Sequence, residues 1–132
     1  LSAVRRLEEG AARLFLVGKE AMEHPTRKVI EEVKAYIREQ YARKTSLQEI
    51  ADRVNISRNY LANVFKQETG STIWNYLTSV RMEKARELLL SAPFKIYQIA
   101  HEVGYEDHVH FSQVFKEYYG ITPMEYKKRM EK

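Results

Sequence analysis

Apolar residues recur three and four positions apart along almost the whole chain, the spacing of one face of an α-helix. Val29, Ile30, Val33, Ile37 and Tyr41 stripe one such face and predict a helix from about Arg27 to Arg43, with Pro25 as the break before it. Ser46-Leu47-Gln48-Glu49 has the form of a capping box, in which a hydroxyl and a carboxylate satisfy amides at a helix start, and a short helix to about Val54 follows. Asn55 stands where a left-handed turn residue is needed, Ser57 can cap a helix to about Thr69, and Gly70 ends it. A long helix from about Thr72, carrying Tyr76, Leu77, Val80, Ala85, Leu88 and Leu89, stops before Pro93. A short helix over Ile96 to about Val103 leads to a turn at Gly104. Asp107 can cap a helix to about Tyr119, Gly120 closes it, and Thr122-Pro123-Met124-Glu125 opens one more. The chain holds 5 Gly and 3 Pro and no β-branched run, so the expected fold class is all-α.

The pattern is also internally repeated. Ile50, Ala51 and Val54 recur as Ile99, Ala100 and Val103, at an offset of 49. After one extra residue in the second turn, Val64, Phe65, Lys66, Gly70, Thr72 and Tyr76 recur as Val114, Phe115, Lys116, Gly120, Thr122 and Tyr126, at an offset of 50. Asn55 corresponds to Gly104, both suited to positive φ. The unit reads short helix, turn, longer helix. That is a helix-turn-helix, whose second helix lies in a DNA major groove. Two copies are too few for a solenoid.

Helical phase sorts the second helix of each unit into two faces. Leu61, Val64 and Phe65 point inward in the first, leaving Asn59, Ala62, Asn63 and Lys66 outward and Arg58 at the start. Phe111, Val114, Phe115 and Tyr118 are expected inward in the second, leaving His108, Val109, Ser112, Gln113 and Lys116 outward. These outward stripes are short and rich in amides, which can pair bidentately with adenine, while a small apolar side chain can rest on a thymine methyl. A merely solvated face would more often carry Glu–Lys pairs. Ser57, Arg58, Lys66 and Lys116, with Lys127 and Lys128 near the C-terminal end, are candidates for phosphate contacts that set register without reading sequence. A solvated chain end is the competing reading for the last two.

Charge permits this picture without requiring it. The 132 residues carry 22 Lys and Arg against 18 Asp and Glu, a net charge of +4. Residues 1–24 hold 4 basic and 4 acidic side chains, 25–70 hold 9 and 6, and 71–132 hold 9 and 8. A polyanion footprint must therefore be a local arrangement, not a charge block. The absence of cysteine excludes thiolate chemistry, disulfides and cysteine zinc sites, and fits a reducing cytoplasmic setting. The longest apolar run near the start, Leu14–Val17, is too short for a membrane span or a signal-peptide core. No membrane partner is expected. The chain begins with Leu1 and reads as a fragment of a longer protein.

The residues resemble the DNA-binding domain of the AraC/XylS family over about Val29 to Met130. The resemblance is carried in the first unit by Ser46-Leu47-Gln48-Glu49-Ile50-Ala51, Ser57, Leu61, Phe65-Lys66 and Gly70. The linker contributes Tyr76-Leu77, Arg81-Met82, Ala85 and Leu88-Leu89. Its most specific stretch is Ile99-Ala100-His101-Glu102-Val103-Gly104-Tyr105-Glu106-Asp107, then Phe111-Ser112-Gln113-Val114-Phe115-Lys116, Gly120 and Thr122-Pro123. It implies seven helices arranged as two helix-turn-helix subdomains, about 27–70 and about 95–130, joined by a long helix at about 72–92. It further implies two recognition helices in successive major grooves, about 34 Å apart. Its base readers fall on Asn59, Ala62, Asn63, His108, Val109, Ser112 and Gln113, in agreement with the helical-face argument. Some members place Arg or Trp at these positions. With small amides, Ala, Val and His here, guanine readout is weak outside Arg58 and an A·T-leaning site is expected. The implied partners are double-stranded DNA, RNA polymerase, an upstream sensor or receiver domain and a second copy of the chain.

Residues 1–24 lie outside the resemblance. Val4, Leu7, Ala11, Leu14, Gly18 and Ala21 form a short heptad-like stripe and predict an extra N-terminal helix. It reads either as a linker that transmits a signal or supports dimerisation, or as a helix packed on the first unit. A helix in place of a barrel remnant favours an upstream receiver, hence a two-component response regulator. Enzymatic chemistry has no foothold: no Gly-rich phosphate loop, nucleophile elbow or paired carboxylates occur. His108 and His110 stand about 200° apart on their helix and cannot share a metal from one face. No cofactor is expected. Trp74 and Tyr105 are expected in the core, and Met82 in the packing of the linker helix. The rival function class is a helical protein-interaction or dimerisation module without DNA readout.

Overall fold

The computed structural model describes residues 25–91 and 93–131. Among these residues there are seven helices and no strand: α1 (Pro25–Gln40), α2 (Leu47–Arg53), α3 (Arg58–Thr69), α4 (Ile73–Ser91), α5 (Ile96–Glu102), α6 (His108–Tyr119) and α7 (Pro123–Met130). The heptad-like stripe from Val4 to Ala21 lies outside the described residues. The first helix starts two residues earlier than its apolar stripe suggested. Pro25 is its first residue and not a break before it, because proline's fixed φ suits the first helical position, where the missing amide costs nothing.

Local chemistry punctuates most helices as the sequence leads one to expect, but the Ser46–Glu49 box closes only by half, because the Glu49 carboxylate accepts instead from Arg43 at 2.7 Å and the Tyr36 hydroxyl at 3.1 Å. Ser46 accepts from the Glu49 amide at 3.0 Å and Ser57 from the Tyr60 amide at 3.1 Å. Asp107 accepts from the Val109 amide at 2.9 Å. The two turns share one hydrogen-bond pattern. The Asn55 amide donates to the Asp52 carbonyl and that of Ile56 to Ala51; the Gly104 amide donates to His101 and that of Tyr105 to Ala100. Asn55 has φ 59° and Gly104 φ 105°. Thr72 and Thr122 repeat as well, each capping the amide three residues on, at 3.0 and 3.1 Å.

Packing divides the helices between two cores. The first gathers Ile30, Val33 and Ile37 of α1, Ile50 and Ala51 of α2, Leu61, Val64 and Phe65 of α3, and Ile73, Leu77 and Val80 of α4. The second gathers Met82, Ala85 and Leu89 of α4 with Ile99, Ala100, Val103, Tyr105, Phe111 and Phe115. It is the more aromatic of the two: Phe115 meets Tyr119 at 4.7 Å and Tyr126 at 5.7 Å between ring centroids. Helix α4 thus serves both cores. Its contributions to each lie on roughly opposite sides, because the stripe Ile73, Leu77, Val80 gives way to Met82, Ala85, Leu89 within two residues, about 200° of helix rotation. Tyr41, just past α1, packs against both cores.

Two expectations about the core are corrected. Trp74 is 44% exposed, because Ile73 is in phase with Leu77 and Val80 and takes the buried place. Tyr118 is 45% exposed. Tyr119, four residues after Phe115 instead of three, turns inward, and its hydroxyl donates to the Met82 carbonyl at 3.1 Å. Burial raises the Tyr119 phenol pKa above its ordinary value. Tyr105 and Met82 are buried as expected.

Candidate nucleic-acid interface

Helices α3 and α6 occupy equivalent places in the two halves, and each turns one side to its core. In α3 the buried set is Leu61, Val64 and Phe65. Asn59, Ala62, Asn63 and Lys66 are exposed, as is Arg58 at the helix start. In α6 the buried set is Phe111 and Phe115. His108, Val109, Gln113 and Lys116 are exposed and Ser112 is half-buried. Val109, at 55% exposure, is an apolar side chain offered to solvent on an otherwise polar stripe.

The sequence grouped these residues by helical phase, and the fold keeps each group on one outward face. Ser57 has a double duty. Its oxygen is taken up in capping α3, and its hydroxyl proton remains available for an acceptor outside the helix. Lys128 is exposed and Lys127 half-buried, so the C-terminal lysines stand beside α6 unequally presented.

Three ion pairs lie away from the candidate contact residues. Lys34 pairs with Glu31, Arg43 with Glu49 and Lys84 with Glu87, at 3.9, 2.7 and 3.4 Å. Among the described residues, Arg58, Lys66, Lys116, Lys127 and Lys128 have no carboxylate within ion-pairing distance. A longer-range influence is felt at Glu125. Its carboxyl is held below the usual 4.5 chiefly by hydrogen bonds from the Thr122 backbone and hydroxyl, with Lys116 and Arg129 adding to the effect.

Two shallow clefts flank the recognition helices. One, of about 640 Å³, is lined by Asn63 and Lys66 of α3 and by Thr72, Ile73 and Trp74 at the start of α4. The other, of about 1090 Å³, includes His108, Met124 and Lys127. Trp74 and Met124 are equivalent under the offset of 50, and both are exposed, at 44% and 56%. Sequence reasoning assigned Trp74 to the core and so missed it here. The signal that could have found it is the repeat itself, which pairs it with Met124, two residues beyond a Thr cap. His110 leaves the face altogether and meets the Tyr105 ring at 5.5 Å.

A family profile described as "Helix-turn-helix domain" matches residues 50–129. The chain belongs to the AraC-type helix-turn-helix family of DNA-binding transcription regulators. The Msm operon regulatory protein of Streptococcus mutans is 33% identical over 106 residues, covering 80% of this chain and 38% of that protein. Among solved structures, the C-terminal domain of AraT, a response regulator from Geobacillus stearothermophilus, superposes with a TM-score of 0.76 at 34% identity, covering 80% of this chain and 88% of that one. The C-terminal domain of the two-component response regulator yesN from Fusobacterium nucleatum gives 0.72 at 38% identity, over 76% and 98%. The AraC-type chain thus spans under two fifths of the Msm regulator and most of each response-regulator domain. Among the described residues no helix is long and apolar enough to cross a membrane.

Proposed function

We propose that this chain is the duplex-reading part of a longer transcription regulator and that α3 and α6 enter successive major grooves on one side of the DNA. Asn59, Ala62 and Asn63 read one element, and His108, Val109, Ser112 and Gln113 the other. Ser57, Arg58, Lys66, Lys116, Lys127 and Lys128 hold the phosphates. On this reading residues 25–132 form the DNA-binding unit and residues 1–24 connect it to an upstream receiver. The regulator works in the bacterial cytoplasm as an activator that contacts RNA polymerase, with a second copy on an adjacent site. The observation that carries the reading is the recurrence, at equivalent places in both halves, of a short exposed amide-bearing stripe that ends in an unpaired lysine. The response-regulator origin of the two similar solved domains supports the upstream receiver.

Selection from a random duplex library at two salt concentrations tests it. The expected result is a motif of two short A·T-leaning elements about one helical turn apart, with affinity falling steeply in salt. Salt-sensitive binding without any motif would remove the base-reading roles. No binding at either salt would overturn the reading in favour of a protein-interaction module.

A further inference from the structure

We propose that Arg81 is a positioning residue that locks the two halves together and so sets the separation of DNA elements the domain accepts; the second part rests on the reading of α3 and α6 as recognition helices. Arg81 lies on α4 between Val80, which belongs to the first core, and Met82, which belongs to the second. Its Nε donates to the Tyr41 carbonyl at 2.7 Å, and Nη2 reaches the Arg43 carbonyl at 3.4 Å. These carbonyls follow the C-terminal end of α1, where a cation is favoured by the helix dipole and by unsatisfied acceptors. The other side of the guanidinium faces the second half: its Cζ lies 5.1 Å from the centroid of the Tyr105 ring, a cation–π distance. One side chain therefore grips the end of the first unit's helix and the turn that launches α6.

Gly104 shows that the fit is tight. A Cβ placed there would come within 3.0 Å of Arg81 Cζ and Nη2 and 3.1 Å of the Ala42 carbonyl oxygen. At φ 105° Gly104 lies well past the 59° that Asn55 adopts at the equivalent place in the first unit, so the backbone by itself disfavours a side chain there. The guanidinium adds a steric reason for glycine, by filling the space a side chain would need. The clamp is not itself repeated. Under the offset of 50 the counterpart of Arg81 is Glu131, so Arg81 is an addition at the junction of the repeats.

Two rigidly phased readers bind a correctly spaced pair of elements better than loosely joined ones, because the second contact is made without further ordering. The test compares the 132-residue chain with Arg81→Met, Arg81→Lys and Gly104→Ala. Gly70→Ala and Gly120→Ala serve as controls, since they add a Cβ at φ 78° and 87° with nothing within 4 Å. Affinity is measured on duplexes carrying one element or both, with the separation stepped by one base pair. Arg81→Met and Gly104→Ala are expected to keep single-element affinity within about twofold, to lose about tenfold on the best two-element duplex, and to flatten the spacing profile. Arg81→Lys, with the charge but not the planar fork, should fall between, and the glycine controls should keep the wild-type profile. An unchanged profile in Arg81→Met, or an equal loss on single elements, would overturn the proposal. Residual dipolar couplings of the free protein judge the clamp without DNA. Amides of α3 and α6 should fit one alignment tensor in the wild type and need two in Arg81→Met, and a shared tensor in that variant would also sink it. If the wild type binds no duplex, the recognition reading fails while the couplings still decide the clamp.

Discussion

An amide side chain donates and accepts at once, which is what the major-groove edge of adenine requires. Asn63 and Gln113 sit at equivalent points of the repeat and are both exposed. Alanine at either position deletes the reading group without disturbing a core, and alanine is a good helix former on an exposed face. Asn63→Ala and Gln113→Ala should each weaken binding to the selected site by about 1–3 kcal/mol and relax base preference opposite that residue, measured by competition against single-base variants. Equal affinity for site and variants in the wild type would remove the role. Trp74 offers a second measurement at this scale. As the single tryptophan, 44% exposed and lining a cleft with Asn63 and Lys66, it reports on this surface alone. Its emission should be quenched or shifted on addition of specific duplex, and Trp74→Phe should bind with the signal gone. Unchanged emission at saturation would place the start of α4 away from the DNA.

At the scale of elements, much of the molecule was legible because caps, turns and apolar phase are local. Ser57, Asp107 and Thr122 were read as caps from their place before an apolar stripe, and the hydrogen bonds are there. The chemistry of a left-handed turn picked out Asn55 and Gly104. What was illegible depends on which of two adjacent apolar residues a distant partner claims. Ile73 and Trp74, or Tyr118 and Tyr119, differ by one residue, and only packing against the other helices chooses. The reach of Arg81 to Tyr41 crosses 40 residues and leaves no periodic trace. Caps also lend themselves to prediction. Asp107→Ala should cost about 1 kcal/mol of stability in thermal unfolding, through the orphaned Val109 amide at the start of α6. The capping box of α7 titrates. The Glu125 carboxyl is held below 4.5 by Thr122, so ionised Glu125 stabilises the fold above about pH 4.5. That contribution is lost as pH falls through the lowered folded value. Glu125→Gln should melt below the wild type at neutral pH, and the gap should close on acidification. A gap that persists once the carboxyl is protonated in both folded and unfolded states would assign the difference to something other than the charge.

For the whole molecule the question is whether two cores sharing one helix unfold together. Phe115 is fully buried and packed against Phe111, Tyr119 and Tyr126. Its replacement by alanine should cost about 3–5 kcal/mol, against roughly 5–15 for a typical domain. That loss falls on the second core. The first keeps its own contacts to α4 through Ile73, Leu77 and Val80, on roughly the opposite side of the helix from the Met82–Leu89 stripe. Native-state hydrogen exchange on Phe115→Ala should therefore show protection in α5, α6 and α7 falling by the full cost, while α2 and α3 lose only the coupling carried by Tyr41 and Arg81. The same variant should still protect one element of the DNA site in a footprint and release the other, because the α3 face needs nothing from the second core. A uniform fall across all seven helices would show instead that α4 makes the two cores one cooperative unit. The domain would then have to lose both elements together, and a lesion anywhere in either core would act as a switch for the whole site.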